Sequence, residues 1–146
     1  MNLFWRDRQF LAAFIVPLLV ILYIRLFGAG AFATFAGFHQ SQPGRLFGLV
    51  LMWPVMEEVV FRGVLQPAIS DLPWGRQRLA GVSVGNVITS LLFAASHLFT
   101  HLPYWSALVF LPSLVFGYFR ERHDSLFSPL FLHVLYNFYY YLVLPV

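Results

Sequence analysis

Charged side chains occur in a stretch of this sequence that is otherwise apolar. Glu57, Glu58 and Arg62 lie within residues 47–68, among valine, leucine, methionine and phenylalanine. An ionised side chain near the centre of a bilayer costs about 2.5 to 3.5 kcal/mol on insertion scales. Because Glu58 and Arg62 are four residues apart, they share a helix face and can pair. Glu57 points about 100° away around the helix and cannot share that arginine as easily.

Two histidines and an asparagine occur in later apolar stretches. His97 follows Phe93 by four residues, and Asn137 follows His133 by four, so each pair lies on one helix face. If a helical bundle turns them inward with Glu57, they form a cavity of one carboxylate, two imidazoles and one amide. A carboxylate beside an imidazole can deprotonate a water molecule. A second imidazole and an amide can donate hydrogen bonds to an oxyanion. Together these are the parts of a hydrolase.

Each of these polar residues also has a structural interpretation. A single histidine or asparagine inside a membrane often forms a hydrogen bond between helices. An ion pair between Glu58 and Arg62 would neutralise itself on one helix and stabilise insertion without any substrate. The combination of these groups on separate helices, rather than any one of them, favours catalysis.

The composition predicts which elements position these groups. Of the 146 residues, 60% are hydrophobic and 10% are charged, whereas soluble domains carry about 25% charged residues. We therefore predict an all-α fold, a polytopic transmembrane helical bundle that forms a single domain over residues 1–146, with the motifs within 57–137. The predicted spans, about five, cover residues 9–27, 47–68, 82–99, 104–119 and 126–144. The segment between the first two could lie along the membrane interface.

The arginines predict the orientation, because cytoplasmic flanks retain basic residues. An N-terminus in the cytoplasm places most arginines on the inner side, namely Arg6, Arg8, Arg76, Arg78, Arg120 and Arg122. The predicted location is the bacterial inner membrane, and the cavity would open toward the non-cytoplasmic side. A cleaved signal peptide is the alternative for the N-terminus, since Ala31, Phe32 and Ala33 resemble a cleavage site. The net charge of +3 is spread out rather than gathered in a basic face, which excludes a nucleic-acid partner.

Three short motifs carry a family resemblance. Residues 57–62 (EEVVFR) resemble the motif EExxxR, residues 93–97 (FAASH) resemble FxxxH, and residues 133–137 (HVLYN) resemble HxxxN. In this order, on successive hydrophobic helices, they resemble the CPBP family of intramembrane endopeptidases. That family includes the CAAX prenyl proteases and the bacteriocin-processing and Abi-type bacterial proteins.

The resemblance implies a glutamic-type protease and a role for each motif residue. Glu57 and His97 would activate water, while His133 and Asn137 would stabilise the oxyanion. Glu58 and Arg62 would then align the site, and Phe93 is a further supporting residue. No metal or other cofactor is predicted, because activation of water by glutamate needs none and the HExxH spacing of zinc proteases is absent from the sequence. A zinc ion held by a glutamate and two histidines is the alternative.

The expected partners are the lipid bilayer and a protein or peptide substrate with a membrane-embedded tail or leader. The chain is short for the family, which makes prenylated CAAX substrates less suitable. It resembles the small bacterial proteases that are paired with C-terminal sorting tags of the JDVT type. Two other functions remain open: a non-catalytic binding or immunity protein that uses the same polar cluster to recognise a partner, and a small proton-coupled carrier.

Overall fold

The computed structural model describes residues 4–27, 43–99 and 102–143. This part of the chain is almost entirely helical, which confirms the predicted all-α class. The α-helices are α1 (Arg8–Phe27), α2 (Pro43–Phe47), α3 (Trp53–Glu58), α4 (Gln66–Ser70), α5 (Val84–Ser96), α6 (Pro103–Leu108), α7 (Phe110–His123) and α8 (Phe127–Val143). Short 3-10 helices cover Phe4–Arg6 and His97–Phe99.

Residues 43–70 alternate between two helical forms, and we call this run the segmented helix. Two π-helical segments, Gly48–Met52 and Val59–Leu65, separate α2, α3 and α4. The backbone N–H groups of Trp53 and Gln66 each bond to the carbonyl five residues earlier, as in a π-helix. A proline follows immediately in both cases, Pro54 and Pro67. Proline has no N–H and disrupts a regular α-helix. The π-helical segments therefore lie where a proline interrupts the α-helical hydrogen bonds.

A short hairpin leads into α5. Strand β1 (Arg78–Leu79) pairs antiparallel with β2 (Val82–Ser83), and Arg78 lies opposite Ser83. The turn needs positive φ angles at Ala80 and Gly81, 50° and 86°. Ser83 then caps α5, since its hydroxyl accepts a 2.9 Å hydrogen bond from the Asn86 backbone N–H.

The predicted spans correspond to helices of unequal regularity. The first and the last follow α1 and α8, whereas the second is the segmented helix. The third begins in the hairpin, and the fourth is divided at Val109 between α6 and α7. Within the described ranges, no single helix combines the length and the apolar character needed to cross a membrane. The predicted interfacial segment, up to residue 42, and the alternative cleavage site lie outside the described residues.

The chain divides into two compact units. The first comprises the described residues up to Val55 together with those from Phe131 onward. The buried ring of Phe10 packs in an aromatic cluster with Phe4 and the more exposed Phe131, with centroids 4.9 Å (Phe4 to Phe10) and 6.2 Å (Phe10 to Phe131) apart. The single-domain organisation over residues 1–146 stays a prediction.

The second unit spans Met56–Leu130. Here α5 packs on α7, and the buried rings of Phe93, Phe116 and Phe119 form the apolar core. Gly117 lets the two helices approach closely, because a Cβ atom at this position would overlap the side-chain amide of Asn86. This unit places the first two motifs against α7.

Candidate active site

An ion pair lies at the centre of the first motif. Arg62 Nη1 is 3.3 Å from Glu58 Oε1, and the two side chains are 0% and 1% exposed. The pairing predicted from their four-residue spacing is therefore confirmed. Burial of two charges is costly unless the geometry and the surrounding hydrogen bonds compensate, so the other contacts of Arg62 matter.

Helix α7 supplies those contacts. Arg62 Nη2 donates to the carbonyl oxygen of Ser113 at 3.0 Å and to its hydroxyl oxygen at 2.5 Å. The guanidinium also lies over aromatic rings, with its Cζ atom 4.7 Å from the Phe93 centroid and 5.6 Å from the Phe116 centroid. Arg62 thus joins the first motif to the second motif and to α7.

The second motif orients a histidine through the same phenylalanine. His97 Nδ1 is 2.9 Å from the carbonyl oxygen of Phe93, and the two rings are 4.6 Å apart. When Nδ1 carries the proton and donates to this carbonyl, Nε2 is the basic nitrogen of the imidazole. The imidazole is half-buried. This contact gives a physical reason for the FxxxH spacing.

Glu57, the predicted catalytic carboxylate, is half-buried beside Glu58. The guanidinium of Arg62 is attracted by the Glu58 carboxylate and, to a smaller degree, by that of Glu57. The structure therefore brings Glu57, Glu58 and Arg62 into one electrostatic cluster and links Arg62 through Phe93 to His97.

The third motif lies on α8 in the first unit. His133 is buried, with 4% of its surface exposed, and Asn137 Nδ2 donates a 3.0 Å hydrogen bond to the carbonyl oxygen of Leu49. Glu57 and His97 belong to the second unit. The oxyanion roles of His133 and Asn137, and a pocket shared by all four residues, stay predictions.

Two hydrogen bonds of Gln66 near this site were not predicted from the sequence. Gln66 Nε2 donates to the carbonyl of Gly117 at 3.0 Å and to Glu121 Oε1 at 2.9 Å. With Ser113, these α7 residues are four apart, and so are their partners Arg62 and Gln66. Polar or small residues that repeat every four positions on two hydrophobic helices were a signal in the sequence. The sequence does not show, however, which helices pack against each other.

A polar depression of about 450 Å³ in the second unit is lined in part by Gln66 and Glu121. Its charged lining consists of Arg76, Arg78, Arg120, Asp71, Glu121 and Asp124. Equal numbers of arginines and carboxylates leave no net formal charge to attract an ionic ligand. The depression contains none of the motif residues.

Metal-binding residues do not converge in the part of the chain that the structure describes: no three histidines, aspartates or glutamates are grouped to hold an ion. The groups that do converge are an ion pair, two aromatic rings and an imidazole. Such an arrangement can hold the imidazole of His97 in one orientation.

Comparison with known protein families gives one match. The model of the Rce1-like family, described as type II CAAX prenyl endopeptidase Rce1-like, matches residues 10–139. The chain therefore belongs to this family of membrane-embedded CAAX proteases, and the resemblance drawn from the three motifs is confirmed. Family members act as peptidases on protein or peptide substrates. Comparisons with curated proteins and with solved structures give no match.

Proposed function

We propose that this protein is an intramembrane endopeptidase of the glutamic type, which hydrolyses a peptide bond near a membrane-embedded segment of a protein substrate. The observation that carries the proposal is the chain of contacts from Glu58 through Arg62 and Phe93 to His97. It links two family motifs and orients the imidazole of His97 through Phe93. Family membership supplies the class of reaction.

In the proposed mechanism, Glu57 and His97 activate a water molecule. The Glu57 carboxylate takes a proton from the water while His97 orients it, and the water oxygen adds to the scissile carbonyl carbon. His133 and Asn137 donate hydrogen bonds to the resulting oxyanion. Collapse of this intermediate breaks the C–N bond, and Glu57 returns the proton to the leaving amine.

The supporting residues would act by holding the reacting groups still. Glu58 and Arg62, anchored by Ser113, hold Phe93, and Phe93 holds His97 through its carbonyl oxygen. Fixed orientation of a base and a water molecule lowers the entropic part of an activation barrier. The metal-free mechanism predicts that a chelator leaves turnover unchanged, whereas loss of activity that zinc restores would contradict it.

The proposed setting is the bacterial inner membrane, with the N-terminus in the cytoplasm. The arginine distribution and the high apolar content support this orientation. The proposed substrate is a protein with a membrane-embedded tail or leader, such as an exported protein that carries a C-terminal sorting tag. The substitution Glu57→Gln keeps the side-chain shape but removes the base, so it is suited to trapping the substrate.

The test uses that trap. A Glu57→Gln protein is purified with its bound substrate, the substrate is identified by mass spectrometry, and wild-type protein is then added. Wild type should cleave it, Glu57→Ala and His97→Ala should not, and His123→Ala, a control outside the motifs, should cleave normally. Full turnover by purified Glu57→Ala would refute the proposal. If Glu57→Gln retained the biological function, a non-catalytic binding protein would be the better interpretation.

A further inference from the structure

Three backbone carbonyls that proline leaves without a helical partner accept hydrogen bonds from side chains of later helices. The first is in α1. The N–H of residue 17 would normally bond to the carbonyl of Ala13, but residue 17 is proline. The Tyr136 hydroxyl donates to the Ala13 carbonyl instead, at 2.8 Å.

The second carbonyl is in the segmented helix, also in the first unit. The Trp53 N–H bonds to the carbonyl of Gly48, so in the π pattern the next carbonyl, that of Leu49, would need the N–H of Pro54. Pro54 has none. Asn137 Nδ2 donates to Leu49 at 3.0 Å.

The third carbonyl repeats this arrangement within the second unit. The Gln66 N–H bonds to the carbonyl of Phe61, so the carbonyl of Arg62 would need the N–H of Pro67. Arg120 Nε donates to Arg62 at 3.1 Å. All three donors therefore replace the backbone N–H that a proline lacks.

These contacts coincide with the motifs. Tyr136 and Asn137 belong to the HVLYN sequence, and Arg62 belongs to EEVVFR. A carbonyl without a partner in apolar surroundings costs free energy, and proline is tolerated in membrane helices where neighbouring groups satisfy the freed carbonyl. Along the acceptor helix, only the carbonyl freed by the proline can accept the side-chain donor. The hydrogen bond therefore also fixes the position of the donor's helix along the acceptor helix.

We propose that Tyr136 and Arg120 are positioning residues, which use proline-freed carbonyls to fix the third motif against α1 and the first motif against α7. This inference rests on the proposed protease function. The hydroxyl of Tyr136 fixes the position of residues 133–137 (HVLYN) relative to Ala13. The Arg120 guanidinium fixes the position of the backbone at Arg62. Neither side chain touches the reacting atoms.

The experiment distinguishes two roles of the side chain: positioning of the motif, and provision of a hydrogen bond to a carbonyl that would otherwise have none. Tyr136→Phe removes the donor, whereas Pro17→Ala supplies a backbone N–H to Ala13. We expect Tyr136→Phe to lower both Tm and kcat, with kcat reduced about tenfold and KM unchanged within about twofold. In the double variant, Tm should recover while kcat stays low, because the carbonyl is paired again but the tie to α8 is absent.

A second pair of variants repeats the test in the other unit. Arg120→Met removes the donor to Arg62, and Pro67→Ala supplies the N–H. Arg120 also pairs with Asp124 at 2.9 Å, so Asp124→Asn is the control that removes this ion pair alone and should keep kcat. If Tyr136→Phe does not fold, this pair decides the question with the same expected separation of Tm from kcat.

The outcomes distinguish this inference from the proposed function. A wild-type protein without turnover would refute the protease function and the positioning role with it. A normal wild-type rate together with unchanged kcat in Tyr136→Phe and in Arg120→Met would refute only the positioning role. Recovery of kcat together with Tm in the double variants would also refute it, because it would show that the side chains only satisfy carbonyls.

Discussion

Arg62 is a charged side chain with no exposed surface, and it contacts three groups that the second unit contributes to the candidate site. It pairs with Glu58, donates twice to Ser113, and lies over Phe93. His97 is reached one step further, through the Phe93 carbonyl. At the residue scale, the contacts of the candidate site in the second unit therefore depend on one guanidinium.

Removal of that guanidinium should destabilise the protein. Arg62→Ala leaves the carboxylate of Glu58 buried without its counter-charge, and loss of one partner from a buried pair costs about 3 to 5 kcal/mol. The measurement is the free energy of unfolding in detergent. Arg122→Ala is the control, because Arg122 is an exposed arginine on α7, and it should change this energy by less than about 0.5 kcal/mol. Equal stability of both variants would contradict the role of Arg62.

At this scale the sequence was informative because its spacing rules are local. Four-residue separation predicted the pairing of Glu58 with Arg62 and placed Phe93 near His97, and both contacts are present. Ser113 could not be chosen in the same way. Its role depends on which face of α7 meets the segmented helix, and that is decided by packing between distant parts of the chain.

At the scale of elements, the contact between α5 and α7 brings the first two motifs together. Gly117 lies where the Asn86 amide crosses α7, and Asn86 Nδ2 donates to the carbonyl of Leu114 at 2.9 Å. The same amide accepts from Ser90 at 3.1 Å. A buried polar side chain thus fills the space that the glycine leaves.

Gly117→Ala should weaken this contact. The added methyl group would overlap the Asn86 amide, and overpacking of a well-filled interior costs about 1 to 3 kcal/mol. Gly48→Ala is the matched control, since a Cβ atom there meets nothing within 4 Å. Unfolding of the two purified variants should show a loss for Gly117→Ala and no loss for Gly48→Ala. The reverse order would contradict the packing described for α5 and α7.

Hydropathy predicted where helices occur but not their internal form. The π-helical segments, strand β2 and the break at Val109 all fall inside stretches predicted as continuous spans. Pro54 and Pro67 were visible signals for the interruptions. Their consequence depends on donors from other helices, Asn137 and Arg120, which reach the freed carbonyls only in the folded chain.

At the scale of the whole molecule, the orientation in the membrane can be tested directly because the sequence contains no cysteine. Single cysteines at Gln77 and Leu102 replace exposed residues next to the hairpin and before α6. Gln77 lies between Arg76 and Arg78, so Gln77→Cys should react with an impermeant maleimide only from the cytoplasmic side. Leu102→Cys should react only from outside. Labelling of both from one side would contradict the proposed orientation.

In the proposed mechanism, the Glu57 carboxylate acts as the base in peptide-bond hydrolysis. The most direct measurement maps new peptide ends in cells that produce wild-type protein, Glu57→Gln or Asp71→Asn, which alters an exposed carboxylate. Wild type and Asp71→Asn should generate the same ends beside membrane-embedded segments, and Glu57→Gln should generate none of them. The same set of ends from Glu57→Gln at wild-type levels would contradict the account.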